Sequence, residues 1–167
     1  MKHTLSVLVE NRAGVLSRIS GLFSRRGFNI ESLAVGITED PSLSRMTIVV
    51  EGNEYTVEQV EKQLNKLVDV IKVRRLEAGE LLSRELMLVK VNADVAKRGE
   101  IMNIAEIMEA RIIDISLNTL TLEISATPEK IDLFEELLKP YIIKELVRTG
   151  MIAIEKGADT INTKIQK

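Results

Sequence analysis

Twice along 167 residues the spacing of apolar side chains switches between two periods in the same order, and that order leaves few folds open. In "HTLSVLVEN" the apolar residues alternate, with Leu5, Val7 and Val9 on one face, the pattern of a half-buried strand. From Gly14 they recur at three and four, so that Val15, Leu16, Ile19, Leu22 and Phe23 share one helical stripe and Arg18, Ser24 and Arg25 lie outside it. Gly27 is the expected stop, because glycine takes the left-handed C′ conformation at little steric cost. "IESLAVGIT" and "SRMTIVVEG" alternate again and flank "EDPSL", where Pro41 breaks the ladder, so they predict a hairpin. "YTVEQVEKQLNKLV" predicts a second helix with Thr56 as N-cap, and "DVIKVRRLE" a fourth strand.

The second half repeats the series. "RELMLVKVNA" reads as strand, "KRGEIMNIAEIMEA" as helix, "RIIDISLN" and "TLTLEISAT" as strands, "PEKIDLFEELLKPY" as helix and "IIKELVRTG" as strand. Pro128 falls in a first helical turn and Pro140 just past a helix end, where proline is tolerated. Two βαββαβ units are therefore expected, each a four-stranded antiparallel sheet with both helices on one face: an α+β chain of two ferredoxin-like domains. Their expected bounds are 1–77 and 84–167, with 78–83 as linker. Each unit is near the lower size limit for an independent core, so its open sheet face or its edges should be covered by another domain or another chain.

The chemistry-bearing residues are sparse. A formal charge of -2 provides no basic field for nucleic acid, and zero Cys removes disulfides, thiolate metal sites and a cysteine nucleophile. No run approaches the length of a membrane span or of a signal peptide, which gives a cytoplasmic expectation with no membrane partner. "RGF" at Arg26 begins like an RNA-binding signature, but it closes a helix, and the third strand carries no ring on which a base could stack. The one histidine, His3, has no nucleophile or second ligand in its company and reads as a strand residue near a surface or an interface. Glu106, Glu109, Glu135 and Glu136 fall on polar helix faces. Neither a catalytic residue nor a metal site is expected.

The loop "ENRAG" is the place where binding chemistry is possible. It runs into a helix N-terminus, whose unpaired N–H groups favour an anion such as a carboxylate, and Gly14 permits close backbone approach. Asn11 before the helix and Asn29 after it each offer donors and an acceptor, the set a zwitterionic amino acid requires. Capping and turn chemistry alone accounts for the same residue types.

"VENRAGVLSRISGLFSRRGFNIESLAVG" closely resembles the ACT domain that opens the small regulatory subunits of acetohydroxyacid synthase (acetolactate synthase). The likeness continues through "SRMTIVV", "RELMLVKV" and "ELVRTGMIAIEKG" and so covers nearly the whole chain. What the resemblance implies is a regulator of branched-chain amino acid (valine, isoleucine, leucine) biosynthesis that has no active site of its own. It would stimulate a separate large catalytic subunit, on which thiamine diphosphate, Mg2+ and FAD are expected, and confer feedback inhibition by valine. The ACT domains would pair in a homodimer and hold valine at their interface. Carried over residue by residue, the resemblance assigns Asn11, Gly14 and Asn29 to the effector, with Val15, Leu16 and Ile30 as neighbouring backbone or apolar contacts.

Overall fold

The N-terminal alternating run forms strand β1 (Lys2–Glu10), which lies inside its sheet in the computed structural model, whose described residues are 1–162. Helix α1 (Val15–Arg26), strands β2 (Ile30–Ile37) and β3 (Leu43–Glu51), helix α2 (Glu54–Leu64) and strand β4 (Val70–Leu76) complete a first βαββαβ unit. Its sheet is ordered β2-β3-β1-β4. Leu8 opposes Arg45 on β3 and Lys72 on β4, and each of those pairings is antiparallel. Leu5, Val7 and Val9 meet Met46, Ile48 and Val50 on one sheet face and pack under Ile19, Phe23, Val57, Val60 and Leu64 of the two helices. Both helices thus bury their apolar stripes against the same face.

The ends of these helices follow local chemistry. Gly27 takes φ +68° and donates its N–H to the carbonyls of Phe23 and Ser24, so it closes α1 as its position predicts. Phe28, one residue on, sets its ring edge to face against Phe23, with 6.3 Å between centroids. Helix α2 begins earlier than expected. Its N-cap is Asn53, whose side-chain oxygen accepts from the Thr56 N–H at 2.9 Å, while Thr56 is the third helical residue and donates its hydroxyl to the same oxygen. Both residue types cap helices well, and the first apolar position, Val57, drew the expected start one turn too far along.

Strand β5 (Leu81–Asn92), helix α3 (Val95–Met108), strands β6 (Arg111–Ile115) and β7 (Thr119–Ala126), helix α4 (Pro128–Leu138) and strand β8 (Ile143–Arg148) repeat the architecture, with order β6-β7-β5-β8. Met87, Val89, Ile101, Leu122, Ile131 and Phe134 lie at the centre of this second core. Pro128 opens α4, and Pro140 sits in the short 3-10 turn Lys139–Tyr141 that follows it.

The described residues divide into units 1–82 with 151–162, and 83–150. Three of the six residues expected as linker, Leu81 to Ser83, are already strand β5. Residues 151–162, expected to end the second domain, lie with the first unit instead. They include a further strand, β9 (Ile152–Glu155), which pairs with β5. The consequence appears in β1. Alternation predicts one buried face, yet Ser6 and Leu8 are buried as thoroughly as Leu5 and Val7.

Candidate functional site

The loop between β1 and α1 is fixed from two directions. The Asn11 N–H donates to the Ser42 carbonyl at 2.7 Å, and its side-chain Nδ2 donates to the Pro41 carbonyl at 2.9 Å, so the β2–β3 hairpin holds it. From the other side, the Glu10 N–H donates to the Asp69 carbonyl at 2.9 Å at the entry to β4. The Asp69 carboxylate receives Arg12 on Oδ1, from Nε at 3.0 Å and Nη2 at 2.6 Å, and Arg18 on Oδ2 at 2.5 Å. Its side chain is only 7% exposed between these guanidinium groups. Hydrogen bonds from Arg18, then from Arg12, hold the Asp69 carboxyl below the usual carboxylate range against its burial. Arg12 also meets Glu10 at 2.7 Å.

Gly14 is the N-cap of α1 with φ +87°, a conformation that L side chains adopt with difficulty. No side chain caps this helix; the Val15 N–H reaches the Arg12 carbonyl only at 3.5 Å, and the next N–H groups of the first turn face the loop. A Cβ at Gly14 would lie 3.0 Å from Nη1 of Arg18, so the guanidinium closes over the glycine. Beside it runs a groove of about 640 Å³, with Arg12, Arg18, Lys66 and Asp69 as its charged wall and Ala13, Leu67 and Val68 as its apolar one. Three cations face one carboxylate there, and with the open helix end the groove favours an anion.

The expected site residues divide into two groups. Asn11 and Gly14 lie together at the start of α1; Asn29 and Ile30 lie beyond its other end, about 18 Å away for a helix of 12 residues. One chain does not bring the groups together. Val15 is buried in the core, so toward the loop it presents backbone only, whereas Leu16 is 46% exposed. Asn29 is exposed, and Ile30 is half-buried against the first core. Sequence reasoning missed Arg12, Arg18 and Asp69. The available signal was a lone acid in "LVDVI", but nothing local pairs residue 69 with partners more than fifty positions earlier.

The remaining candidates have structural partners. His3 is buried, with Nε2 3.1 Å from the Gly52 carbonyl and Nδ1 2.9 Å from Nη2 of Arg75; the network fits a ring that donates from Nε2 and accepts at Nδ1. Glu109 pairs with Lys130 at 2.7 Å, Glu135 with Arg148 at 3.4 Å, and Glu136 with Lys139. Among the described residues no cluster of three metal-ligating side chains occurs. No helix there is long and apolar enough to cross a membrane.

Residues 5–72 match the family model of the AHAS small subunit-like ACT domain, and residues 84–157 match that of the small subunit of acetolactate synthase. The probable acetolactate synthase small subunit of Archaeoglobus fulgidus is 53% identical over 157 residues, covering 94% of this chain and 98% of that one. The chain belongs to the acetolactate synthase small-subunit family. The acetolactate synthase small subunit of Mycolicibacterium smegmatis is 50% identical over 93% of this chain and 91% of its own. Among solved structures, the acetolactate synthase small subunit from Thermotoga maritima superposes with a TM-score of 0.89 at 39% identity, covering 95% of this chain and 99% of that one. Members of this family are the regulatory, non-catalytic subunits of the synthase, and the β1–α1 loop described above lies in the ACT portion.

Proposed function

We propose that this chain stimulates the catalytic subunit of acetolactate synthase and makes it sensitive to valine, which binds between two ACT domains. Thiamine diphosphate, Mg2+ and FAD belong to that catalytic subunit, and this chain holds none of them. The observation that carries the reading is the uncapped start of α1 at Gly14, where free N–H groups and a flanking guanidinium suit the carboxylate of an amino acid. Asn11, held on the hairpin by one amide hydrogen, keeps its side-chain oxygen free of donors among the described residues and able to accept from the ammonium.

The separation of Asn29 from Asn11 has a geometric answer. Strand β2 is an edge strand, paired among the described residues with β3 alone, so its other side can receive a second chain. Two-fold antiparallel pairing of β2 with its copy carries the Ile30 end of one strand to the Ile37 end of the other. That second end leads into the hairpin loop, whose Pro41 and Ser42 hold Asn11. Asn29 and Ile30 of one subunit therefore complete the pocket begun by Asn11, Gly14 and Leu16 of its partner. A branched side chain buried there contributes roughly 1.5 to 3 kcal/mol. A coupling of about 1 to 3 kcal/mol between effector and holoenzyme state changes an affinity about 5 to 150-fold, enough for feedback control.

Mixing the chain with its cognate large subunit and following acetolactate formation tests the reading. Stimulation by the small subunit and loss of that stimulation on adding valine are expected. A rate that responds to neither would overturn it.

A further inference from the structure

A βαββαβ unit leaves one face of its sheet open, the face away from the helices. In the first unit that face is closed: Ser6, Leu8, Thr47 and Val49 point to it and none exceeds 7% exposure. It also carries two arginines. Arg45 donates from Nε to Ser6 Oγ at 2.8 Å and from Nη2 to the Ala153 carbonyl at 3.3 Å. Arg74 pairs through Nη2 with Glu155 at 2.8 Å, both side chains mostly buried, and donates from Nη1 to the Thr160 carbonyl at 2.7 Å. The Met151 N–H donates to Ser32 Oγ at 3.2 Å, and the Lys156 N–H to the Glu80 carbonyl at 2.8 Å. Ala153 and Ile161 are buried.

Residues 151–162 thus form a strap across the outer sheet face, attached to β2 at Ser32, to β3 at Arg45 and to β4 at Arg74. Ser32 lies three positions after Asn29 on the strand that the effector reading assigns to the pocket. At its other end the strap follows directly from β8, the last strand of the second unit.

We propose that this strap is the element through which valine occupancy is communicated to the remainder of the subunit, an inference that rests on the effector reading above. An effector acts only by favouring one arrangement of the parts its site touches, and β2 touches the strap. The strap has a natural release point. Glu155 Oε2 is buried with no hydrogen-bond partner among the described residues, so the closed state carries an uncompensated acceptor. The mostly buried Arg74–Glu155 pair contributes little net stability while both partners are present, but reversing one leaves an uncompensated buried charge and is strongly unfavourable.

The test uses the full chain with its catalytic subunit. Glu155→Arg sets a third cation against Arg45 and Arg74 and lifts the strap; Arg74→Glu combined with Glu155→Arg restores an opposite pair. Ser32→Ala removes a single bond to Met151 and serves if charge reversal prevents folding. In Glu155→Arg, a lysine-specific endoprotease, which does not cut at the introduced arginine, should cut faster after Lys156. Valine affinity by calorimetry should stay within about threefold of wild type, while the fraction of activity lost at saturating valine falls at least about fivefold. The double variant should recover both. Wild-type inhibition in a variant whose Lys156 is cut faster overturns the proposal, as does unchanged cutting in every variant. A fall in valine affinity matching the fall in inhibition overturns it too, since the strap would then merely support the pocket. A wild-type chain that binds no valine overturns the effector reading itself, and this inference with it.

Discussion

At Gly14 two costs of substitution can be separated. Any side chain there meets φ +87° and the Arg18 guanidinium, so Gly14→Ala and Gly14→Asp should each lose about 1 to 2 kcal/mol of stability in urea titration. Only the aspartate places a negative charge where the carboxylate of valine should lie. Calorimetry should find valine binding abolished in Gly14→Asp and weakened less in Gly14→Ala; equal affinities would remove the carboxylate from this helix end. Asp69 gives a pH test. Its carboxyl is held below the ordinary value of 3.8, so its contribution to stability is fully present above that pH and disappears as pH falls through the lowered folded value. Asp69→Asn should therefore be less stable than wild type at neutral pH by urea midpoint, with the gap shrinking below about pH 4. The glycines at the two ends of α1, Gly14 and Gly27, were legible from sequence because conformation is a local property. The Arg12–Asp69–Arg18 clamp was not, because its members meet only after the sheet has formed.

Among the elements, every expected helix and strand exists, since alternation and the three-and-four spacing are strong signals over eight or more residues. The added strand, β9, is four residues long and inverts the reading: Ile152 and Ile154 are more than half exposed while Ala153 faces inward. A small side chain lets the strap approach the sheet closely enough for Arg45 to reach the Ala153 carbonyl, and hydropathy does not record that requirement. Helix α2 offers a direct check of its cap. Asn53→Ala should cost about 0.5 to 2 kcal/mol in thermal unfolding, whereas Thr56→Ala, which leaves the capping oxygen in place, should cost less. For the edge strand β2, Val35→Lys puts like charges near each other across a two-fold strand pair. Sedimentation should then show a monomer where the wild-type chain is a dimer; a dimer in both would move the interface elsewhere.

At the scale of the molecule the described residues include two buried apolar clusters, one around Leu5, Ile48 and Phe23 and one around Met87, Leu122 and Phe134. Phe134→Ala should destabilise the second unit by about 3 to 5 kcal/mol while leaving valine affinity in the first unit unchanged by calorimetry. The duplication was legible, because each copy repeats the same order of periods, but the division of the chain was not. A boundary drawn along the sequence assumes that neighbours in sequence stay together, and residues 151–162 do not.

That return has a consequence for how the protein is made. A ribosome delivers β1 through β4 first, but the sheet they form keeps Ser6, Thr47, Arg45 and Arg74 without their final cover until residues beyond 150 have emerged. The first unit is therefore begun before the second and completed after it, and its closing contacts span 108 residues from Arg45 to Ala153 and 119 from Ser32 to Met151, long separations that slow their formation. Until then its outer face exposes Leu8, Val49, Arg45 and Arg74, an apolar and cationic surface that the folded protein buries.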